Sequence, residues 1–145
     1  MDVRDIIIES LQRTLVGNGI VVDSATIQLE RPANRSHGDW STNTALVNAK
    51  AAGSKPLDLA NSLVDILTDD PPLHVTAVKV AGPGFINFYL ADTWLHDILI
   101  NVVESGVDNW GRFYTGVDQH VIVEFVSANP TGPLHAGHGR GACYG

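Results

Sequence analysis

Near the end of the chain, His135 and His138 stand three residues apart in "HAGH". On the first turn of a helix that spacing places both on one side. A helix N-terminus presents free backbone N–H groups and the positive end of the dipole, a setting that favours a phosphate. Gly137 between them lets a ligand approach the backbone closely. Imidazoles beside a reacting phosphate can donate hydrogen bonds to charge that develops in the transition state. Alone, the pattern equally describes two surface histidines on a loop. The preceding "SANPTGPL" adds Ser127 and Asn129, able to bond a small polar ligand, and Pro130 and Pro133, which restrict the loop. Glu124 lies within "HVIVEFV", residues 120 to 126, which is otherwise strongly apolar. A carboxylate in a buried strand is costly unless it meets a cation; the plainer alternative is a solvent-facing edge position.

A second constellation is "GFINFYL", residues 84 to 90. On a strand, Phe85, Asn87 and Tyr89 share one face, and Ile86, Phe88 and Leu90 the other. The second set is core. An exposed first set would offer aromatic rings and an amide, suited to stacking on an unpaired base and reading its edge. Phe85 and Tyr89 could instead cover a second small core under a helix. Trp40, ending "RSHGDW", reads as a core anchor rather than a stacking platform, and His74, His96 and His120 are isolated, with no role assigned. Cys143 reads as a small buried residue rather than a reactive thiol.

The elements that must position these residues follow from periodicity and breakers. Val3, Ile7, Leu11 and Leu15 recur every four residues and predict a helix over 3–16, stopped by "GNG". "SATIQLERP" predicts a short strand, and "ANRSHGDWSTN" a polar loop. "TNTALVNAKAAG" suits a helix with Gly53 past its end, and Pro56 opens another with Leu59, Leu63, Ile66 and Leu67 as its apolar stripe. "HVTAVKV" and "FINFYL" predict a hairpin joined by "AGPG". Asp92 and Gly106 bracket a further helix over "TWLHDILINVVES". "VDNWGRFYTGVD" reads as a linker, "HVIVEFV" as a buried strand, and a last helix begins at about His135. The fold class is α+β: residues 1 to about 110 form a compact domain around a small antiparallel sheet, and 119 to 145 open a parallel α/β domain.

The 145 residues suffice for one ordinary domain, or one domain plus part of another. No apolar run approaches the ~18 residues of a membrane span, and the charged N-terminus lacks a signal-peptide pattern. A single cysteine excludes an internal disulfide, which makes a cytoplasmic setting the default. The net charge of −7, with only nine dispersed Lys and Arg, argues against a simple basic clamp on nucleic acid. Any RNA contact must be local, or completed by parts of the protein outside this chain.

"VEFVSANPTGPLHAGHGRGACYG", residues 123 to 145, resembles the signature of bacterial arginyl-tRNA synthetases, class I enzymes whose first catalytic strand leads into the HIGH motif. Upstream, "GDWSTNTALVNAK" and "VAGPGFINFYL" are similar to segments of that family's N-terminal additional domain. The resemblance implies an arginine–tRNA ligase whose residues 1–110 recognise the tRNA D-loop through Phe85 and Asn87. Residues 119–145 would then begin a Rossmann-like catalytic domain, truncated here. It places the HIGH-motif segment at Ala128, Asn129, Pro130, Thr131, Gly132, Pro133, Leu134, His135, Ala136, Gly137 and His138. It implies that Glu124, Ser127, Asn129 and His135 hold arginine, that His135, Gly137 and His138 meet ATP, and that His135 and His138 are catalytic. Some members carry a lysine where this chain has Gly132, so a lysine motif beyond Gly145 would have to assist ATP. The implied partners are tRNA(Arg), L-arginine and ATP with Mg2+, without membrane or tightly bound cofactor. Activation would need tRNA present. The 145-residue piece is expected to be inactive alone, and its unpaired terminal strand to favour self-association or loose packing.

Three other readings compete. "GHGRGA", residues 137 to 142, fits a dinucleotide fingerprint, but ten residues with two prolines separate it from the strand. His135 and His138 could ligate zinc, yet no cysteine cluster accompanies them. The third is a stand-alone RNA-binding module without catalysis.

Overall fold

A computed structural model describes residues 2–112, 116–124, 126–129 and 131–144. Contacts divide the chain into two units, Met1–Asp108 and Asn109–Gly145.

The first unit is α+β. Helix α1 (Val3–Gly17) starts where the Asp2 carboxylate accepts from the Arg4 amide at 3.2 Å. Its inward stripe is the one the four-residue spacing predicts: Val3, Ile7, Leu11 and Leu15 are all buried. It ends as the Ile20 amide reaches back to the Leu15 carbonyl at 2.9 Å. Helix α3 (Pro56–Asp69) begins with proline at its first position and buries Leu59, Ala60, Leu63 and Leu67. Ile66, expected in that stripe, is instead 43% exposed, because Leu59, Leu63 and Leu67 already fill the face toward the core.

Strands β1 (Trp40–Thr42), β2 (Val75–Ala81) and β3 (Phe85–Leu90) form an antiparallel sheet in the order β1-β3-β2. In register, Trp40 faces Phe88 and Thr42 faces Ile86 across β1–β3, while Val78 faces Phe88 and Val80 faces Ile86 across β2–β3. Ile86 and Phe88 are fully buried and join the side chains of α1 and α3 in one core. A fully buried aromatic of this kind contributes on the order of 2–3 kcal/mol through its burial.

Three local expectations differ. Residues 24–32 do not form a strand: Ser24–Thr26 makes one 3-10 turn, and only Glu30 bridges to Ser41. Asp23 accounts for this, its carboxylate accepting from the Ala25 amide at 3.0 Å and its carbonyl from the Thr26 hydroxyl at 2.7 Å. The helix expected from Thr42 is short, α2 (Thr44–Asn48), and the loop before it contributes β1. The buried Thr42 hydroxyl pairs with that of Thr44 at 2.8 Å and accepts from the Thr44 amide, marking the switch from strand to helix. In the second unit, residues 119–124 and 126–129 adopt no regular element, so the buried strand expected over 120–126 is not formed. Among the described residues of that unit there is no strand beside it to take its hydrogen bonds. Phe125 and Pro130 lie outside the described residues.

Helix α4 (Thr93–Ser105) follows β3 and ends at Gly106, as its flanking residues predict, although Asp92 makes no side-chain cap bond. His74, assigned no role from sequence, ties α4 down: Nδ1 meets the Thr93 hydroxyl at 2.8 Å and Nε2 meets the Asp97 carboxylate at 3.0 Å.

The loop before β1 is seated on β3 through Gly38. Gly38 has φ +90°, and a Cβ there would lie 2.5 Å from the Phe88 carbonyl oxygen. That closeness lets the Asp39 amide donate to the Phe88 carbonyl at 2.8 Å while the Asp39 carboxylate accepts from the Leu90 amide at 2.8 Å. Gly38→Ala combines backbone strain with a clash against main chain, and is expected to lower stability by about 1–3 kcal/mol. Chemical denaturation followed by circular dichroism measures this; an unshifted midpoint would mean the loop is not held against β3.

Candidate functional site

Two sets of candidate residues occur, one in each unit. In the first unit, β3 carries Phe85, Asn87 and Tyr89 on the sheet face opposite Ile86 and Phe88. The register adds Ser41 from β1 and Lys79 from β2, both aligned with Asn87. Phe85 is 40% exposed, as a stacking platform requires. Asn87 corrects the sequence expectation: it is only 4% exposed. It sits mid-strand in the central strand, flanked on both sides by paired residues, so its amide is covered rather than displayed. Tyr89 is half-buried, its hydroxyl donating to the Ser36 carbonyl at 3.0 Å, and its ring carries the Lys79 ammonium 4.9 Å from the centroid. Lys79 did not stand out in the sequence, and within "RSHGDW" the residue weighed was Trp40 rather than Ser36. The signal was present in the alternation of β2, which puts Lys79 outward, but needed the register to be read.

Trp40 is half-buried and packs against the core, as expected, while the Arg31 guanidinium lies 4.9 Å over its ring. A separate groove of about 380 Å³ between α1 and the turn after α3, lined by Glu9, Ser10, Arg13 and Leu73 among others, holds none of the candidate residues.

In the second unit, helix α5 (Ala136–Tyr144) begins just after His135, where the sequence places it. His135 and His138 come together, their rings stacked with centroids 3.8 Å apart at 22°. His135 Nδ1 accepts from the Gly137 amide at 3.1 Å, and His138 Nδ1 accepts from the His135 amide at 3.2 Å. With both δ nitrogens accepting, the neutral form of each ring has its N–H on Nε2, the atom that would face a ligand. Gly137 permits the arrangement: a Cβ there would lie 3.0 Å from His135 Cε1 and 3.1 Å from its Nδ1. The helix N-terminus is therefore not open as expected. The Gly137 amide is capped by His135, and a phosphate binding at that amide would exchange with the ring.

Among the described residues the remaining candidates make no hydrogen bond or ion pair with the two histidines. Glu124, Ser127 and Asn129 are exposed, on backbone without regular structure. Glu124 thus escapes the desolvation that its apolar neighbours implied, because Val121, Ile122 and Val123 are themselves 72%, 96% and 62% exposed. Cys143, expected to be buried, is exposed. Among the described residues no group of three His, Cys, Asp or Glu side chains is arranged to hold a metal, and no helix is long and apolar enough to cross a membrane.

The first unit is an α+β domain built on a three-stranded antiparallel sheet, and its fold is that of a tRNA synthetase N-terminal domain. Residues 1–90 match the arginyl tRNA synthetase N terminal domain family, and the chain belongs to that family. It is 46% identical over 142 residues to an arginine–tRNA ligase of Magnetococcus marinus, covering 96% of this chain and 24% of that protein. It is 47% identical over 145 residues to the arginine–tRNA ligase of Dechloromonas aromatica, covering 99% of this chain and again 24% of the relative. Among solved structures it is similar to Thermus thermophilus arginyl-tRNA synthetase, with a TM-score of 0.55 and 25% identity over 95% of this chain and 21% of that one. The chain thus spans about a quarter of the length of the curated relatives it matches.

The contrast between Phe85 and Asn87 is open to test. Phe85→Ala should leave the stability of the domain within ~0.5 kcal/mol of the wild type, as surface substitutions do, whereas Asn87→Ala should cost on the order of 1–2 kcal/mol. Equal losses for both in urea melts would place Phe85 in a core.

Proposed function

We propose that this chain is the N-terminal portion of an arginine–tRNA ligase. In that reading the first unit meets tRNA(Arg), and the second carries the HIGH motif, "HAGH", at the start of a Rossmann-like nucleotide-binding domain. The observation that carries the catalytic part is the paired histidine turn, in which two backbone amides hold two imidazoles through Nδ1, with no bond to Nε2 among the described residues. The likeness to arginine–tRNA ligases over nearly the whole chain supports the substrate assignment.

The reaction has two steps. A carboxylate oxygen of arginine attacks the α-phosphorus of ATP; the bond to the pyrophosphate oxygen breaks, giving arginyl-adenylate and pyrophosphate. A hydroxyl of the terminal ribose of tRNA(Arg) then attacks the acyl carbon and AMP leaves. Little covalent work falls to the protein, so positioning and electrostatics dominate. His138 and His135 donate Nε2–H bonds to α-phosphate oxygens as negative charge shifts toward them, with the Gly137 amide released to the phosphate when His135 turns. Glu124 is the partner for the arginine guanidinium, a charge-assisted and potentially bidentate pair, and Ser127 and Asn129 contact the remaining polar groups. Mg2+ accompanies ATP. Segment 119–129 becomes a strand when the rest of a longer ligase supplies the neighbouring strands; without them its apolar residues favour self-association. The setting is the cytoplasm, where aminoacylation occurs.

In the full-length enzyme, His138→Ala is expected to lower the rate of pyrophosphate exchange about 10²- to 10³-fold, the effect of losing one transition-state donor, with arginine affinity little changed. A variant turning over at the wild-type rate would remove His138 from the phosphate site. Glu124→Gln is expected to weaken arginine binding by about 1.5–3 kcal/mol while ATP still binds. Isothermal calorimetry with each ligand separates the two, and unaltered arginine affinity would reassign Glu124.

A further inference from the structure

We infer that Lys79 is a phosphate contact for RNA on the β3 face, and that Tyr89 is the residue that positions it. The inference rests on the proposed tRNA-binding role of the first unit and adds residues to it. In this chain 16 carboxylates outnumber nine Lys and Arg, and what sets Lys79 apart is its place on the β3 face, aligned with Asn87 and over the Tyr89 ring. Among the described residues Lys79 forms no ion pair; the lysine and arginine ion pairing seen there is that of Arg13 with Asp70. Its ammonium lies 4.9 Å over the Tyr89 ring, which fixes its direction without neutralising its charge. Tyr89 is fixed in turn by its hydroxyl bond to the Ser36 carbonyl at 3.0 Å, in the loop that Gly38 and Asp39 seat on β3.

The occupied ring face also divides the labour. A tyrosine already covered by an ammonium is not a free platform for a base, whereas Phe85, 40% exposed and four residues away on the same strand face, is. Four residues of strand span about 13 Å, and Lys79 is aligned with Asn87, midway between the two rings. A nucleotide stacked on Phe85 would therefore carry its backbone past the Lys79 ammonium. Stacking and phosphate contact on one sheet face are the two components by which single-stranded RNA is held. A phosphate contact positions the RNA but reads no sequence.

The test is the salt dependence of binding between full-length protein and transcribed tRNA(Arg), with a non-cognate tRNA alongside. Lys79→Gln should weaken both complexes several-fold, and reduce the steepness of log K against log salt by about 0.7–1. Lys79→Arg should restore the wild-type slope. Tyr89→Leu should reproduce part of the lysine effect, and Tyr89→Phe, which keeps the ring, less of it. Thermal melting should be unchanged in Lys79→Gln, since that side chain is exposed. A wild-type slope in Lys79→Gln, in a protein that binds tRNA normally, overturns the inference and leaves the tRNA-binding role standing. Absence of tRNA binding by the wild-type protein overturns both.

Discussion

The backbone of β3 is what the first unit is organised around. Phe88 alone takes part in three relations. Its side chain is fully buried among the residues of α1 and α3, its neighbours across the sheet are Trp40 and Val78, and its carbonyl receives the Asp39 amide at 2.8 Å. The last relation requires a residue without Cβ at position 38. Because a strand turns alternate residues to opposite faces, burial of Ile86 and Phe88 forces Phe85, Asn87 and Tyr89 to the other side. The candidate RNA face is thus a consequence of the core, not an independent device. A one-residue slip of β3 would exchange the two sets and lose both.

Electrostatics limits what the proposed RNA face can use. A chain of charge −7 repels a polyanion at long range, and salt screens this only beyond about 8–10 Å. In the proposed RNA contact, affinity would then come from short-range contacts: an exposed ring and one ammonium held in a fixed direction. Cation–π placement suits this requirement better than an ion pair. It orders the lysine while leaving its full charge for a phosphate, whereas a carboxylate partner would have to be displaced first.

How far the sequence was legible differs sharply by element. Helices α1, α3 and α4 and the β2–β3 hairpin carry their own instructions, in apolar spacing, Pro56, Gly106 and "AGPG", and they form where those signals place them. The misread stretches depend on partners distant in sequence or on side chains competing with the backbone. β1 exists because β3 offers it an edge, and residues 24–26 turn because Asp23 and Thr26 bond locally. The site divides in the same way. The pairing of His135 with His138 follows from helical spacing, and the exposure of Phe85 from strand alternation. The burial of Asn87, its alignment with Lys79 and the hold of Tyr89 on Ser36 needed the register of three strands and a loop 53 residues away.

The second unit makes the same point from the other side. Val121, Ile122 and Val123 have the side chains of a buried strand, yet they lie exposed. Strand propensity is a preference for fitting a pleated, paired surface, and it has no expression where no pair is present. The histidine turn needs no such partner. The Gly137 amide donates to His135 and the His135 amide to His138, all within four residues, and Gly137 removes the one atom that would obstruct them. The group that would act on a phosphate is therefore assembled locally. The residues that would hold an amino acid, Glu124, Ser127 and Asn129, stand on backbone that only neighbouring strands can order. In a longer ligase, formation of the sheet and assembly of the arginine site would be one event, with the phosphate donors already in place.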